Sequence, residues 1–281
     1  MSLAVFLAVI GAAVLHAVWN ALVKGGSDRL MGMAAIVFGH VIAGILTLPF
    51  TPFPLGEAWP YLIFGAFLHF GYHMFLLQSY NLGDLTQVYP IARGSAPLIV
   101  AVVSVGVLGV ALSLGEMLAV AMIGVGIISL ALVRQADGLR NKRAAVFALI
   151  TGCFIASYSL VDGIGARYSG TPTGFFAWLS IINGMMMASF LVWRSPGTFR
   201  KIAVQGKVVM FLGGGASFIA YALVVWAFTQ APIALVTALR ETSIIFALLI
   251  GVFFLKEKLN LAKVASTFCT LSGAALLKIT N

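Results

Sequence analysis

About ten times along this chain, a run of roughly 19 to 25 apolar residues is set off by a short polar or Pro/Gly-rich stretch. At about 1.5 Å rise per residue, a helix of that length matches a hydrocarbon slab of roughly 30 Å. A bilayer core offers no water to the backbone, so the spanning elements must be helices or closed barrels. A barrel would show alternating segments of about ten residues, and no such alternation is visible. Composition agrees: 61% of the side chains are hydrophobic and only 9% charged, against roughly 25% charged in soluble domains.

The predicted spans are Leu3–Val23, Met31–Phe50, Pro60–Gln78, Leu85–Gly109, Leu114–Val133, Ala144–Ile164, Phe175–Trp193, Val208–Phe228, Ile233–Leu255 and Leu259–Leu277. The longest interruption, Arg134–Arg143 (RQADGLRNKR), divides them five and five. The expected organisation is all-α and integral to the membrane: a five-helix repeat over 1–134, a basic linker over 135–143 and a second repeat over 144–281. The first apolar run lacks a basic leading segment and a small-residue cleavage site, so it reads as a retained helix.

The halves also align with each other. Setting Tyr80–Asp84 against Phe228–Pro232 places His73 on Tyr221, Arg93 on Glu241 and Ser95 on Ser243; Trp19-Asn20 falls loosely on Tyr158-Ser159. An odd number of spans per half makes the second copy enter from the opposite face. The predicted fold is therefore ten transmembrane helices as two inverted five-helix repeats, an arrangement that builds a pseudo-two-fold site at mid-membrane.

A net charge of +9 would point to nucleic acid in a soluble protein. Here the basic residues sit in short loops beside apolar helices, so the expected partner is the lipid bilayer and not nucleic acid. Loops after spans 1, 5, 7 and 9 hold 13 of the 17 Lys and Arg residues, and the opposite side holds only Arg167 and Lys278. By the positive-inside rule both termini face outward. Cys153 and Cys269 lie inside apolar runs without ligand spacing and read as buried thiols, so neither metal nor cofactor is expected.

The segment Leu15–Lys24 (LHAVWNALVK), the pattern Leu255-Lys256-Glu257-Lys258-Leu259 and Gly273 in the last span resemble the drug/metabolite transporter superfamily, in its ten-helix type whose halves are EamA domains. The five-plus-five layout extends the resemblance over essentially the whole chain. It implies a multi-pass carrier of the bacterial inner membrane with a central cavity lined mainly by spans 1, 3, 4, 6, 8 and 9. It also implies cytoplasmic termini, opposite to the charge count. Amino acids, other metabolites or nucleotide sugars are the implied cargo.

Three formal charges lie inside apolar spans: Arg93, Arg240 and Glu241. Intramembrane charges cost roughly 2.5 to 3.5 kcal/mol each on insertion scales and mark function by default. Arg93 stands about 12 Å into span 4 and Arg240 about 10 Å into span 9. Because the two spans enter from opposite faces, these charges converge. One reading is an ion pair that locks the repeats together; the other is a solute or coupling site. Two Arg against one Glu leave one positive charge, which a carboxylate, phosphonate or phosphate of the ligand would satisfy. Glu241 would then face the ligand's amine or accept a proton.

In span 4, Pro90 and Pro97 flank Arg93 in the run Tyr89–Pro97, which reads either as a broken binding helix or as a simple kink. His16, Trp19 and Asn20 share a face of span 1, as do His69, Tyr72, His73 and Tyr80 of span 3, Tyr158 and Asp162 of span 6, and Ser217 and Tyr221 of span 8. A lone intramembrane His is commonly a satisfied hydrogen-bond partner. His16 and His73 are the stronger candidates, His40 reads as packing, and Asp162 stands near the end of span 6, where burial is not expected. The candidate solute site comprises Arg93, Arg240, Glu241, His16, Trp19, Asn20, His73, Tyr89, Tyr158 and Tyr221.

The function expected is secondary transport of a small polar metabolite, a zwitterion or organic anion, with protons or an exchanged solute as coupling partner, by a monomer or homodimer. Two alternatives stay open. One is a membrane enzyme or flippase for a lipid-linked substrate, although no His-Glu-x-x-His or Gly-x-Ser-x-Gly motif appears. The other is a non-transporting scaffold.

Overall fold

The structure, a computed structural model, describes residues 1–24, 28–82, 85–133, 142–253 and 261–280, without the side chains of 21–24, 85–87, 89–90, 130–133, 247–248, 251–253 and 261–263. Most of the basic linker (134–141), the Leu255–Leu259 motif and the Tyr89 side chain lie outside the described residues.

Among the described residues all regular structure is helical. The longer elements are α1 Leu3–Lys24, α2 Arg29–Thr47, α3 Trp59–Leu82, α4 Leu85–Gly106, α5 Leu114–Val133, α6 Lys142–Tyr168 and α7 Pro172–Arg194. A short α8, Gly197–Gln205, precedes a π-helical turn, Val209–Gly213, that leads into α9, Gly214–Gln230. Then come α10 Ile233–Arg240, α11 Ser243–Phe253 and α12 Leu261–Ile279. Six of the helical segments are long and apolar enough to cross a bilayer, and three shorter apolar ones accompany them. Large apolar side chains such as Leu7, Phe67, Val102, Val125 and Phe268 point outward, as a lipid-facing surface requires.

The helices pack as a bundle in which α3 and α4 lie on α6, α1 on α9 and α11, α2 on α7 and α9, and α5 on α12. Small residues permit the close approaches: a Cβ on Gly39 of α2 would meet the Met210 carbonyl and, at 2.7 Å, the Cα of Gly214. At one end of the bundle, Arg29 donates to the Tyr80 carbonyl and Lys201 of α8 pairs with Asp28 at 2.6 Å. At the other, Leu55 N–H donates to the Ser169 carbonyl at 3.1 Å, and Arg167 donates to the Phe228 and Ala231 carbonyls, each at 2.9 Å.

Two local expectations are corrected. The prolines do not break span 4: α4 is continuous through Pro90 and Pro97, because one missing N–H per proline can be tolerated where neighbouring helices enclose the backbone. The break falls in span 9, at Glu241-Thr242 between α10 and α11. There Glu241 N–H and Thr242 N–H bond three residues back, to Ala238 and Leu239, and the Thr242 hydroxyl also donates to the Leu239 carbonyl. In Glu241-Thr242-Ser243, hydroxyl side chains compete for backbone carbonyls and tighten the helix into a turn. The short α8, with Thr198 and Ile202 turned inward and Arg200 and Lys201 outward, was not expected, since nine residues fall well below a membrane span.

Candidate functional site

The α10–α11 break sets its charges against the middle of α4. Glu241 is fully buried, Arg93 and Arg240 almost so. Arg93 Nε lies 2.7 Å from Glu241 Oε2, off the N–H axis, so the contact is an ion pair and not a linear hydrogen bond. The same guanidinium reaches the Ser243 hydroxyl at 3.4 Å through Nη2. Arg240 holds the other carboxylate oxygen, with Nη2 at 3.3 Å and Nε at 3.4 Å from Oε1. Arg240 also closes α10, where the negative end of the helix dipole favours a cation.

A second buried acid joins this centre. Asp162 of α6 is fully buried, its Oδ2 accepting from the Tyr221 hydroxyl at 2.7 Å and lying 2.8 Å from His69 Nε2. The Arg240 guanidinium carbon stands 5.9 Å from the centroid of the same Tyr221 ring, within cation–π range. Tyr221 therefore bridges the two clusters. Tyr158 completes the wall: His69 stacks on it with centroids 4.0 Å apart, and Tyr221 meets it edge-on at 5.9 Å.

Asp162 overturns one expectation and with it a charge count. The carboxylate stays buried because α6 runs on to Tyr168, which carries Asp162 about a turn deeper than a helix ending at Ile164 would. The buried formal charges become two Arg against two carboxylates, so no positive charge is left over when His69 is neutral.

The other candidates fall into groups. His16, Trp19 and Asn20 bond mainly within α1: Trp19 Nε1 donates to His16 Nδ1 at 3.1 Å and Asn20 Nδ2 to the His16 carbonyl at 2.7 Å. His16 nevertheless lies within electrostatic reach of Arg93 and Arg240. His73 packs beside Tyr72, with its Nδ1 buried and unpartnered, and takes no part in the ionic network; His69, one turn earlier, does. His40 sits edge-on to Phe176 and Phe218, a packing role as expected. His69 and Asp162 were legible as members of polar faces, but nothing local revealed that they meet. The 3.6-residue face shared by Tyr158 and Asp162, opposite the corresponding face of His69, was the available signal.

A multi-pass helical membrane protein with a buried ionic centre assembled from distant parts of the chain is the class these observations define. Residues 142–279 match the EamA-like transporter family. The second half of the chain is thus an EamA domain, which supports membership of the drug/metabolite transporter superfamily and the role of a membrane transporter of that type. A solved structure titled only "Crystal structure of protein" has a TM-score of 0.76 over 98% of this chain and 99% of its own, at 17% identity, which is a likeness of fold. No curated protein matches.

Proposed function

We propose that the protein is a secondary carrier for a small polar solute with at least one anionic group, either a zwitterion such as an amino-acid-like compound or an organic anion. The observation that carries this reading is the buried centre of Arg93, Glu241 and Arg240. A guanidinium fork matches a carboxylate, phosphonate or phosphate bidentately, and Glu241 offers a partner to an amine. A bound solute would exchange protein–protein ion pairs for protein–solute ones. In this reading the polar faces of His16, Trp19, Asn20, His73, Tyr158 and Tyr221 would complete the solute site.

The mechanism proposed is alternating access by two inverted five-helix repeats, 1–134 and 144–281, in a bacterial inner membrane. Packing supports it. Exchanging each helix for its counterpart in the other half turns α1 on α9 into α6 on α3, α2 on α9 into α7 on α3, and α4 on α6 into α11 on α1; each of these contacts is present. Arg93 and Glu241, aligned positions of the two proposed repeats, meet each other, as equivalent positions beside a two-fold axis would.

The test is a thermal-shift screen of the detergent-purified protein against amino acids, phosphonates, sugar phosphates, nucleotide sugars and quaternary amines, followed by flux of any hit in proteoliposomes. An anionic or zwitterionic compound should stabilise the wild type and not R240Q, and should be carried unchanged. Equal stabilisation of both proteins by cations alone would remove the ionic centre from the site. Chemical conversion of the solute would replace the carrier with an enzyme.

A further inference from the structure

Asp162 and His69 have no assigned task in the solute site, yet together they bury a carboxylate beside a titratable ring. Asp162 Oδ1 has no hydrogen-bond partner and faces α3 at Gly65, where a Cβ would come within 2.6 Å of it. The His69 side chain is 12% exposed, whereas that of Glu241 is fully buried. We propose that the His69–Asp162 pair binds a proton that is carried together with the solute, one proton for each solute of net charge −1. This rests on the carrier reading above and names its coupling ion and the charge of its cargo.

The case is one of charge balance in a low-dielectric interior. With His69 neutral, Arg93 and Arg240 balance Glu241 and Asp162, and the empty carrier is uncharged at its centre. With His69 protonated the centre carries +1, which a solute of charge −1 neutralises. Empty and deprotonated, or loaded and protonated, are the two states that bury no net charge, and burial penalises every other combination. A solute without net charge would bind the deprotonated centre and move no proton.

The neighbours select this pair among the titratable groups. Around Asp162, α3 brings His69, Tyr72 and His73, and α9 brings Tyr221. Tyr158 and Arg167 lie on α6 itself, α4 brings Arg93, and α10 brings Arg240 with Glu241 following. The turn at 56–58 brings Glu57, and α7 brings the uncharged Asn183. Glu241 is held between two guanidiniums, so protonating it would strand both. His16, His40 and His73 have no carboxylate beside them among the described residues, so a proton there would be an uncompensated buried charge. Only at His69 does an added proton meet an adjacent carboxylate.

Tyr221 supplies the link to the solute site. Its ring lies 5.9 Å from the Arg240 guanidinium and its hydroxyl 2.7 Å from Asp162, so the two charges stand no more than about 12 Å apart. At an effective dielectric constant of about 20, removing a unit charge at that distance changes proton affinity about tenfold.

The first measurement needs no solute. In pH-difference infrared spectroscopy of the purified protein, the wild type should gain imidazolium absorption as the pH is lowered, and both H69Q and D162N should lose that transition. E241Q should move the transition to lower pH and R240Q to higher pH, R240Q by about tenfold in proton affinity. No transition, a transition that survives both H69Q and D162N, or one indifferent to E241Q and R240Q would overturn the proposal. If D162N does not fold, H69Q carries the loss of the transition and Y221F, which keeps both imidazole and carboxylate, should retain it. The second measurement uses proteoliposomes with a trapped pH dye. Gradients of L-glutamate or methylphosphonate monoanion should acidify the lumen of wild-type vesicles and not H69Q vesicles, and L-alanine should acidify neither. Solute uptake by wild type without acidification would overturn the proton site and leave the carrier standing. Absence of flux for every compound that shifts the melting temperature would overturn the carrier, and the coupling with it.

Discussion

Glu241 touches two guanidiniums and each guanidinium has further partners, so the three charges are unequal in what their loss exposes. E241Q leaves two buried cations facing each other, whereas R240Q leaves the 2.7 Å Arg93–Glu241 pair in place. Breaking a buried pair by removing one partner costs about 3 to 5 kcal/mol, while replacing every member with apolar side chains is often neutral. The melting temperature in detergent should therefore fall most in E241Q, less in R240Q, and recover in the triple variant R93M/R240M/E241L when protonated His69 balances the remaining Asp162, although that variant should carry no solute. A triple variant that still carries solute would make the centre a structural lock. The sequence made these three residues legible because a charge inside an apolar run is conspicuous. Asp162 was not legible in this way: whether it is buried depends on one extra turn of α6, and its partner Tyr221 lies 59 positions further on. That turn also decides the charge balance of the site.

Helix identity followed from apolar run length, and α1 to α7 and α12 agree with their predicted spans to within about a turn. What run length could not locate was the discontinuity. Prolines are the usual marker of one, but here the break sits at Glu241-Thr242, where three-residue backbone bonds and the Thr242 hydroxyl replace the helical ladder. Close packing was equally hidden, because a glycine count does not say which glycines face a backbone. Gly39 abuts the Met210 carbonyl and Gly214, whereas Gly11 has nothing within 4 Å of a built Cβ. G39A should therefore cost about 1 to 3 kcal/mol through overpacking, and G11A should stay within about 1 kcal/mol of wild type; thermal denaturation of both separates them. Asp28 caps α2 by accepting from Met31 N–H at 3.0 Å and also pairs with Lys201. The Lys201 ammonium holds its carboxyl below the usual carboxylate range. Its contribution is thus present above the ordinary Asp range and lost as pH falls through the lowered value. D28A, which loses cap and pair, should destabilise by about 0.5 to 2 kcal/mol. D28N keeps the cap and should lose less, since an exposed pair is worth about 0 to 1 kcal/mol.

The ends of the bundle differ in how many basic residues they carry. Arg29 on Tyr80, and Lys201 on Asp28, gather the α1–α2 junction, the end of α3 and α8 at one end. Leu55 on Ser169, and Arg167 on Phe228 and Ala231, gather the connections at the other. The first end is the side to which the loop count assigns 13 of the 17 basic residues; Arg167 and Lys278 fall on the second. An asymmetry of this size, counted over short loops, orients helical membrane proteins with the basic side in the cytoplasm. The acidic partner there does not cancel it, because acidic residues weigh little in that rule. Both termini should consequently face outward, against the cytoplasmic termini that the resemblance to EamA carriers implies. A C-terminal alkaline phosphatase fusion should be active and a fluorescent-protein fusion dark. The reverse result would mean that the packing of inverted halves overrides loop charge. In that case adding two lysines to the connection at 107–113 should not flip the chain, whereas in a charge-oriented chain they should produce a mixture of both orientations. The same fusions fix the sign of the proton test, since acidification of the vesicle lumen reports import or export only once the face bearing Lys201 is known.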